Sequence, residues 1–135
     1  MSNWNEKIIT EFRKNKGKVG GHFEHTPLLL LHSVGAKSGK ARINPVAYIE
    51  DEGRLIVIAS KGGADSHPDW YFNVRANPSI TVEVGTEQFE AKAAITSEPE
   101  RSELYAKMAA RNSGFADYEK KTSRKIPVIA LERIN

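Results

Sequence analysis

Two short turn signals constrain this chain more than any other feature. Asp51-Glu52-Gly53 separates residues 42–50 from Arg54-Leu55-Ile56-Val57-Ile58-Ala59, and Gly85-Thr86 separates residues 80–84 from 88–96. The segments around them are rich in β-branched and alternating apolar residues, the pattern of strands with one buried face. A turn of two or three residues leaves no room for a crossover, so each pair reads as an antiparallel hairpin. Further strands are expected over residues 27–33 and 126–134. About six strands, mostly hairpin-connected, suit an antiparallel barrel better than a parallel sheet.

Helical spacing appears between these strands. Trp4, Ile8 and Phe12 recur on one face, Asn3 and Glu6 offer a weak capping box, and Gly17 closes the segment. A second helix is expected after Ser66 as N-cap, with Pro68 and Asp69 in its first turn and Asn77-Pro78 as its stop. Trp70, Tyr71 or Phe72, and Val74 should point inward. Ser97-x-x-Glu100 opens a third helix whose face carries Leu104, Tyr105 and Met108, and residues 115–121 form a short helix or turn. The expected class is therefore α+β, mainly β. At 135 residues the chain reads as one domain, with an N-terminal helix within 1–20 and a barrel over 26–134.

Composition narrows the chemistry. The chain contains no cysteine, which excludes a disulfide framework, a thiolate nucleophile and a Cys-bearing zinc site. No apolar run approaches the roughly 20 residues that cross a bilayer, and the first residues lack the pattern of a signal peptide. A cytoplasmic protein is the expectation. The formal charge of +3 conceals a pattern: residues 1–45 carry +5, residues 46–100 carry −6 and residues 101–135 carry +4. The acidic middle argues against a broad nucleic-acid surface, and the basic ends suggest a local anion site instead.

Two glycine-bearing loops are the main candidates for such a site. Gly35-Ala36-Lys37-Ser38-Gly39-Lys40-Ala41-Arg42 looks like a Walker loop but has one residue too few between its glycines and no hydroxyl after Lys40. A strand, not a helix, should follow it. Either it is a flexible basic hairpin loop, or its glycines admit an anion that Lys37, Ser38 and Arg42 hold. The second loop, Ser60-Lys61-Gly62-Gly63-Ala64, joins a strand end to a helix start, a common ligand cradle. Trp70 and Tyr71 read either as core or as ligand contacts. Asn73 could bond the backbone of the loop before its helix. His22 and His25 stand three apart, yet no third ligand recurs at a metal-like spacing, so no metal site is expected. Tyr118, in a charged segment, could donate a proton or hydrogen bond to a substrate oxygen.

Taken together, Gly35-x-Lys37-Ser38-Gly39-x-x-Arg42-x-Asn44-Pro45, Ser60-Lys61-Gly62-Gly63-Ala64, Pro68-x-Trp70-Tyr71-x-Asn73-x-x-Ala76-Asn77-Pro78 and Arg124-x-Ile126-Pro127-Val128 resemble the deazaflavin-dependent nitroreductase family. That resemblance implies a split β-barrel of the FMN-binding type that uses coenzyme F-420, an 8-hydroxy-5-deazaflavin with a phosphodiester and an acidic tail. It places Lys37, Ser38, Gly39 and Arg42 at the cofactor phosphate. Asn44 and Pro45 would approach the deazaflavin ring, Ala59, Ser60, Lys61 and Gly62 its other edge, and Trp70, Tyr71 and Asn73 would complete the wall.

The implied reaction is hydride transfer from reduced F-420 to a small-molecule acceptor, a quinone, enone or nitro compound. Tyr118, helped by Ser60, would stabilise the charge that develops on the acceptor oxygen. Ala47, Phe115 and Lys121 stand where family members that reduce nitroimidazoles tend to carry further aromatics, so quinone or enone reduction is the stronger expectation. Three other readings stay open at this level: an FMN- or haem-binding split barrel, a non-catalytic cofactor-binding module, and peripheral membrane contact through the Trp4/Ile8/Phe12 stripe.

Overall fold

A computed structural model describes residues 3–20 and 27–134. Six strands run as β1 (Leu28–Val34), β2 (Ala41–Asp51), β3 (Arg54–Ile58), β4 (Ser79–Val84), β5 (Glu87–Ile95) and β6 (Val128–Arg133). They close into a barrel in the order β1-β2-β3-β6-β5-β4, with every neighbouring pair antiparallel. Both expected hairpins are present: Asp51 pairs with Arg54, and Val84 with Glu87. Closure comes from β1 against β4 and from β6 lying between β3 and β5.

Alternation along each strand sorts the core into an inside and an outside. Leu29, Leu31, Val46, Val57, Val82, Ala91, Ile129 and Leu131 fill the barrel. Helix α2 (Asp69–Ala76) adds Trp70, Tyr71 and Val74 to that cluster, which sets it across a mouth of the barrel. Full burial of each such side chain contributes on the order of 1.5–3 kcal/mol. The outer face is covered in two patches. Helix α1 (Asn3–Lys14) lays Ile8 and Phe12 on Leu28 and Leu30. Helices α3 (Glu100–Arg111) and α4 (Gly114–Lys121) lay Leu104, Tyr105, Met108 and Phe115 on Ile49, Ile56, Ile58 and Val128. Ala47 packs against both patches.

The structure corrects several local expectations. Helix α2 begins at Asp69 with Pro68 as its N-cap residue, because Pro68 holds extended backbone (φ −68°, ψ 154°). The Ser66 hydroxyl instead accepts from Lys61 Nζ at 3.3 Å. Helix α3 likewise starts two residues after Glu98, whose carboxylate accepts the Ser102 amide at 2.9 Å. The Ser97 box does not form. Phe72 faces outward at 37% exposure, leaving Tyr71 as the inward ring. The His22/His25 pair and the Trp4 side chain lie outside the described residues. The Ile8/Phe12 stripe is spent on the barrel, with Phe12 only 1% exposed, so it is not free to dock on a membrane. Among the described residues no helix is long and apolar enough to cross one.

A carboxylate fastens α1 to the barrel. Glu83 on β4 accepts from Arg13 at 2.8 and 3.2 Å and meets His32 Nε2 of β1 at 2.6 Å. Gly17 (φ +94°) then turns the chain over the β4–β5 hairpin, where an added Cβ would lie 2.5 Å from the Gly85 Cα. The Arg13 hydrogen bond, and more weakly His32, hold the Glu83 carboxyl below its ordinary 4.5. A carboxylate with a depressed folded value stabilises fully above about pH 4.5 and loses that contribution as pH falls through the folded value. Glu83→Gln should therefore lower stability at pH 7 by about 1–3 kcal/mol. Urea midpoints should show that gap narrowing below pH 4.5.

Candidate functional site

The site begins at the β1–β2 connection. Gly35 accepts from the Gly39 amide at 2.9 Å and its own amide donates to Lys40 O at 2.8 Å, which curls the loop tightly. A Cβ on Gly35 would collide with the Ser38 hydroxyl, and Gly39 sits at φ +70° with open space around it. Asn73 of α2, buried, fixes this loop from below: its Oδ1 accepts the Ala36 amide at 3.0 Å and its Nδ2 donates to Ser33 Oγ at 3.3 Å. Asn73 thus serves the β1–β2 loop rather than the loop that precedes its own helix.

Beside this loop lies a cleft of about 690 Å³. Lys37, Ser38 and Arg42 line one side, and Asp69, Phe72, Asn73 and Arg75 the other. Three cations face one carboxylate there, so the cleft favours an anion. Arg75 is a cation that sequence reasoning missed, since one arginine on a short helix resembles any solvated charge. Its guanidinium lies 5.1 Å from the Phe72 ring centre and 5.5 Å from that of Tyr71, which steadies it at the rim. Trp70 and Tyr71 themselves are core, at 7% and 8% exposure. Asp69, Phe72, Asn73, Arg75 and Ala76 are the residues that α2 turns toward the cleft.

Asn44 and Pro45 follow along β2, half-buried, opposite Leu31 and Leu30. Alternation puts Pro45 on the same outer face as Ala47, between the α1 patch and the α3/α4 patch. Ala59 and Ser60, both buried, follow β3 and lead into a 3-10 turn, Lys61–Gly63. Lys61 takes the left-handed conformation (φ +50°) and so does Gly63 (φ +85°). The missing side chain of Gly63 lets α4 approach: a Cβ there would lie 3.1 Å from the Tyr118 Cα. Tyr118 is half-buried, with Phe115 edge-on at 5.2 Å and Lys121 Nζ 5.8 Å from its ring centre. The Tyr105 hydroxyl, donating to Phe115 O at 2.5 Å, ties α4 to α3. Burial pushes that phenol up to about 12, so it stays a neutral donor.

One residue organises the second loop. The Arg124 guanidinium donates to Ala64 O (2.8 Å), Ser60 O (2.7 Å) and Ala59 O (3.2 Å), and meets His67 Nδ1 at 2.9 Å. Arginine only donates, so Nδ1 must accept, and the His67 proton sits on Nε2. Burial, then the Arg124 and Arg75 cations, hold the imidazole below its ordinary value and keep it neutral at pH 7. With its carbonyls turned to Arg124, the turn sets Gly63 against α4 and leaves Lys61 exposed. The sequence pattern contains Arg124 but nothing local signals these contacts, which reach back about 60 residues.

Arg124→Lys keeps the charge but cannot satisfy three carbonyls and an imidazole at once. Leaving buried carbonyls unpaired costs about 1–3 kcal/mol each, so the denaturation midpoint should fall by at least about 2 kcal/mol equivalent. The Gly63 amide, which donates to Ser60 O at 3.0 Å, should also exchange its hydrogen markedly faster.

Comparison with known proteins identifies the family. The sequence model of the F420H(2)-dependent quinone reductases matches residues 4–133. An F420H(2)-dependent quinone reductase of Mycobacterium tuberculosis is 34% identical over 126 residues, covering 90% of this chain and 85% of the relative. The solved structure of an F420-H2 dependent reductase (FDR-A) shares 38% identity and a TM-score of 0.72, covering 84% of this chain and all of the other. The haem storage protein HutZ of Vibrio cholerae, at 16% identity and a TM-score of 0.62, covering 97% of this chain and 91% of its own, shares the fold alone. The chain is a split barrel and belongs to the F420H(2)-dependent quinone reductase family.

Proposed function

We propose that this chain, acting as one domain in the cytoplasm, reduces a quinone with the hydride that bound, reduced coenzyme F-420 supplies. The observation that carries this reading is the cationic cleft, where Lys37, Arg42 and Arg75 converge beside a glycine-framed loop. A phosphodiester with an acidic tail needs fixed positive charge of this kind.

Each remaining residue then has a task. Lys37, Ser38, Gly39 and Arg42 hold the phosphate, and Asn73 keeps their loop in place. Asn44 and Pro45 support one edge of the ring, while Ala59, Ser60, Lys61 and Gly62 border the other. Trp70 and Tyr71 act from behind, as the packed base of α2. Hydride addition to a quinone leaves negative charge on a carbonyl oxygen, and a pre-placed donor lowers the barrier to that charge. Tyr118 is that donor in this reading, helped by the Ser60 hydroxyl. Enones meet the same requirement and are accepted as well. Nitroimidazoles are poor acceptors here, because Ala47 and Lys121 supply no ring to stack them.

Consumption of reduced F-420 should be followed anaerobically with menadione, a cyclic enone and a nitroaromatic as acceptors. Menadione should be reduced most efficiently. Tyr118→Phe should leave cofactor affinity unchanged and lower kcat by about 10- to 100-fold. Unchanged turnover at saturating cofactor would remove Tyr118 from the mechanism. Arg42→Ala should instead raise the cofactor Kd by about ten-fold or more, and the salt dependence of binding should weaken with it.

A further inference from the structure

His67 stands between the two glycine-bearing loops' supports. On one side its Nδ1 meets the Arg124 guanidinium at 2.9 Å, and that guanidinium also holds the carbonyls of Ala59, Ser60 and Ala64. On the other side its ring packs against Tyr71 at 4.6 Å and edge-on against Phe72 at 5.7 Å. Those two rings carry the Arg75 guanidinium at the rim of the cationic cleft. One imidazole therefore completes a run of contacts from Ser60 to Arg75. We infer that His67 is a positioning residue: as a neutral acceptor it couples the loop held by Arg124 to the α2 rim of the cleft, and its protonation uncouples them. The effect on cofactor binding rests on the F-420 reading above; the coupling itself does not.

The chemistry of the pair makes this contact conditional on charge. Arginine has donors only, so it needs the lone pair of Nδ1, and an imidazolium has none to give. A protonated His67 would set N–H against N–H and like charge against like charge across 2.9 Å. The groups that face the ring are mainly cationic. Arg124 comes from the segment before β6, Arg75 comes from α2 with Tyr71, and Asp65 and Tyr105 act on Arg124. Lys61 is bonded to Ser66. Among the described residues no carboxylate pairs with His67 as Glu83 does with His32. Because the imidazole is held below its ordinary 6.5, the coupling is complete above about pH 6.5 and is lost as pH falls through the folded value.

A histidine that acted through its charge alone would do the opposite. An added cation beside the cleft attracts a phosphate or carboxylate, so acid would then tighten the binding of an acidic cofactor. The direction of the pH effect separates positioning from plain electrostatics.

His67→Asn supplies the control, because its side-chain oxygen accepts from roughly the place of Nδ1 and does not titrate between about pH 5 and 8. In the cofactor-free wild type at about pH 7.5, 15N NMR should show His67 as the Nε2–H tautomer. As pH falls through the His67 titration, hydrogen exchange of the Gly63 and Tyr71 amides, which donate to Ser60 O and Pro68 O, should speed up relative to the variant. Between about pH 7.5 and pH 5 the Kd for F-420 should rise about five-fold or more in the wild type relative to the variant. That ratio cancels the cofactor's own titration. An Nδ1–H tautomer, or exchange that follows the variant throughout, overturns the coupling, as does a Kd that falls or stays level relative to the variant on acidification. If neither protein binds F-420 at either pH, the cofactor reading fails instead, and tautomer and exchange decide the coupling on their own.

Discussion

The guanidinium of Arg124 gathers the carbonyls of Ala59, Ser60 and Ala64 and the imidazole of His67 around one cation. Those groups belong to the end of β3 and to the connection that leads into α2, so a single charge joins the barrel wall to the helix across its mouth. Burial pulls the guanidinium somewhat below its ordinary value without threatening its protonation. Removing it would orphan several acceptors together. The same contact settles three further features: the orientation of the Lys61–Gly63 turn, the tautomer of His67, and the seat of α4, which rests on that turn through Gly63. Tyr118 stands where it does because Arg124 holds the ground beneath it.

Around this anchor, the barrel divides its labour between two surfaces. Its interior is filled mainly by aliphatic side chains and capped by Trp70 and Tyr71. The proposed site lies outside it. Helix α1 covers one part of the outer face and α3 with α4 another, leaving the strip of β2 through Pro45 and Ala47 between them. In the proposed arrangement the deazaflavin ring lies along that strip, with its phosphate toward Lys37, Arg42 and Arg75 of the cleft. The apolar stripe of α1 contributes to this arrangement by building a wall, and Glu83 keeps the wall in place.

How far all this could be read beforehand depends on how local each cause is. The hairpins at Gly53 and Gly85 were legible, because strand alternation and turn chemistry are written within a dozen residues. A barrel was expected too, but the strand order that closes it was not legible, since the β1–β4 and β3–β6 pairings join segments far apart in sequence. The helix starts shifted for a specific reason: prolines at 68 and 99 set the first helical residue, and side chains expected to cap were bonded elsewhere. Lys37, Ser38, Arg42 and Asn73 were found from their motif, and the structure brings them to one cleft. Trp70 and Tyr71 allowed two readings, core or ligand wall, and burial places them in the core. Arg75 and the role of Arg124 escaped, because a cation's partners are visible only once the chain has folded.

In the proposed function this cationic cleft and the strip beside it receive a deazaflavin with an acidic tail. Fluorescence titration of the purified protein with coenzyme F-420, set beside an identical titration with FMN, tests it most directly. F-420 should bind at micromolar or tighter concentration, with an affinity that falls steeply as salt rises, and FMN should bind at least about ten-fold more weakly for want of the extended acidic tail. Tight binding of FMN with none of F-420 would contradict the account.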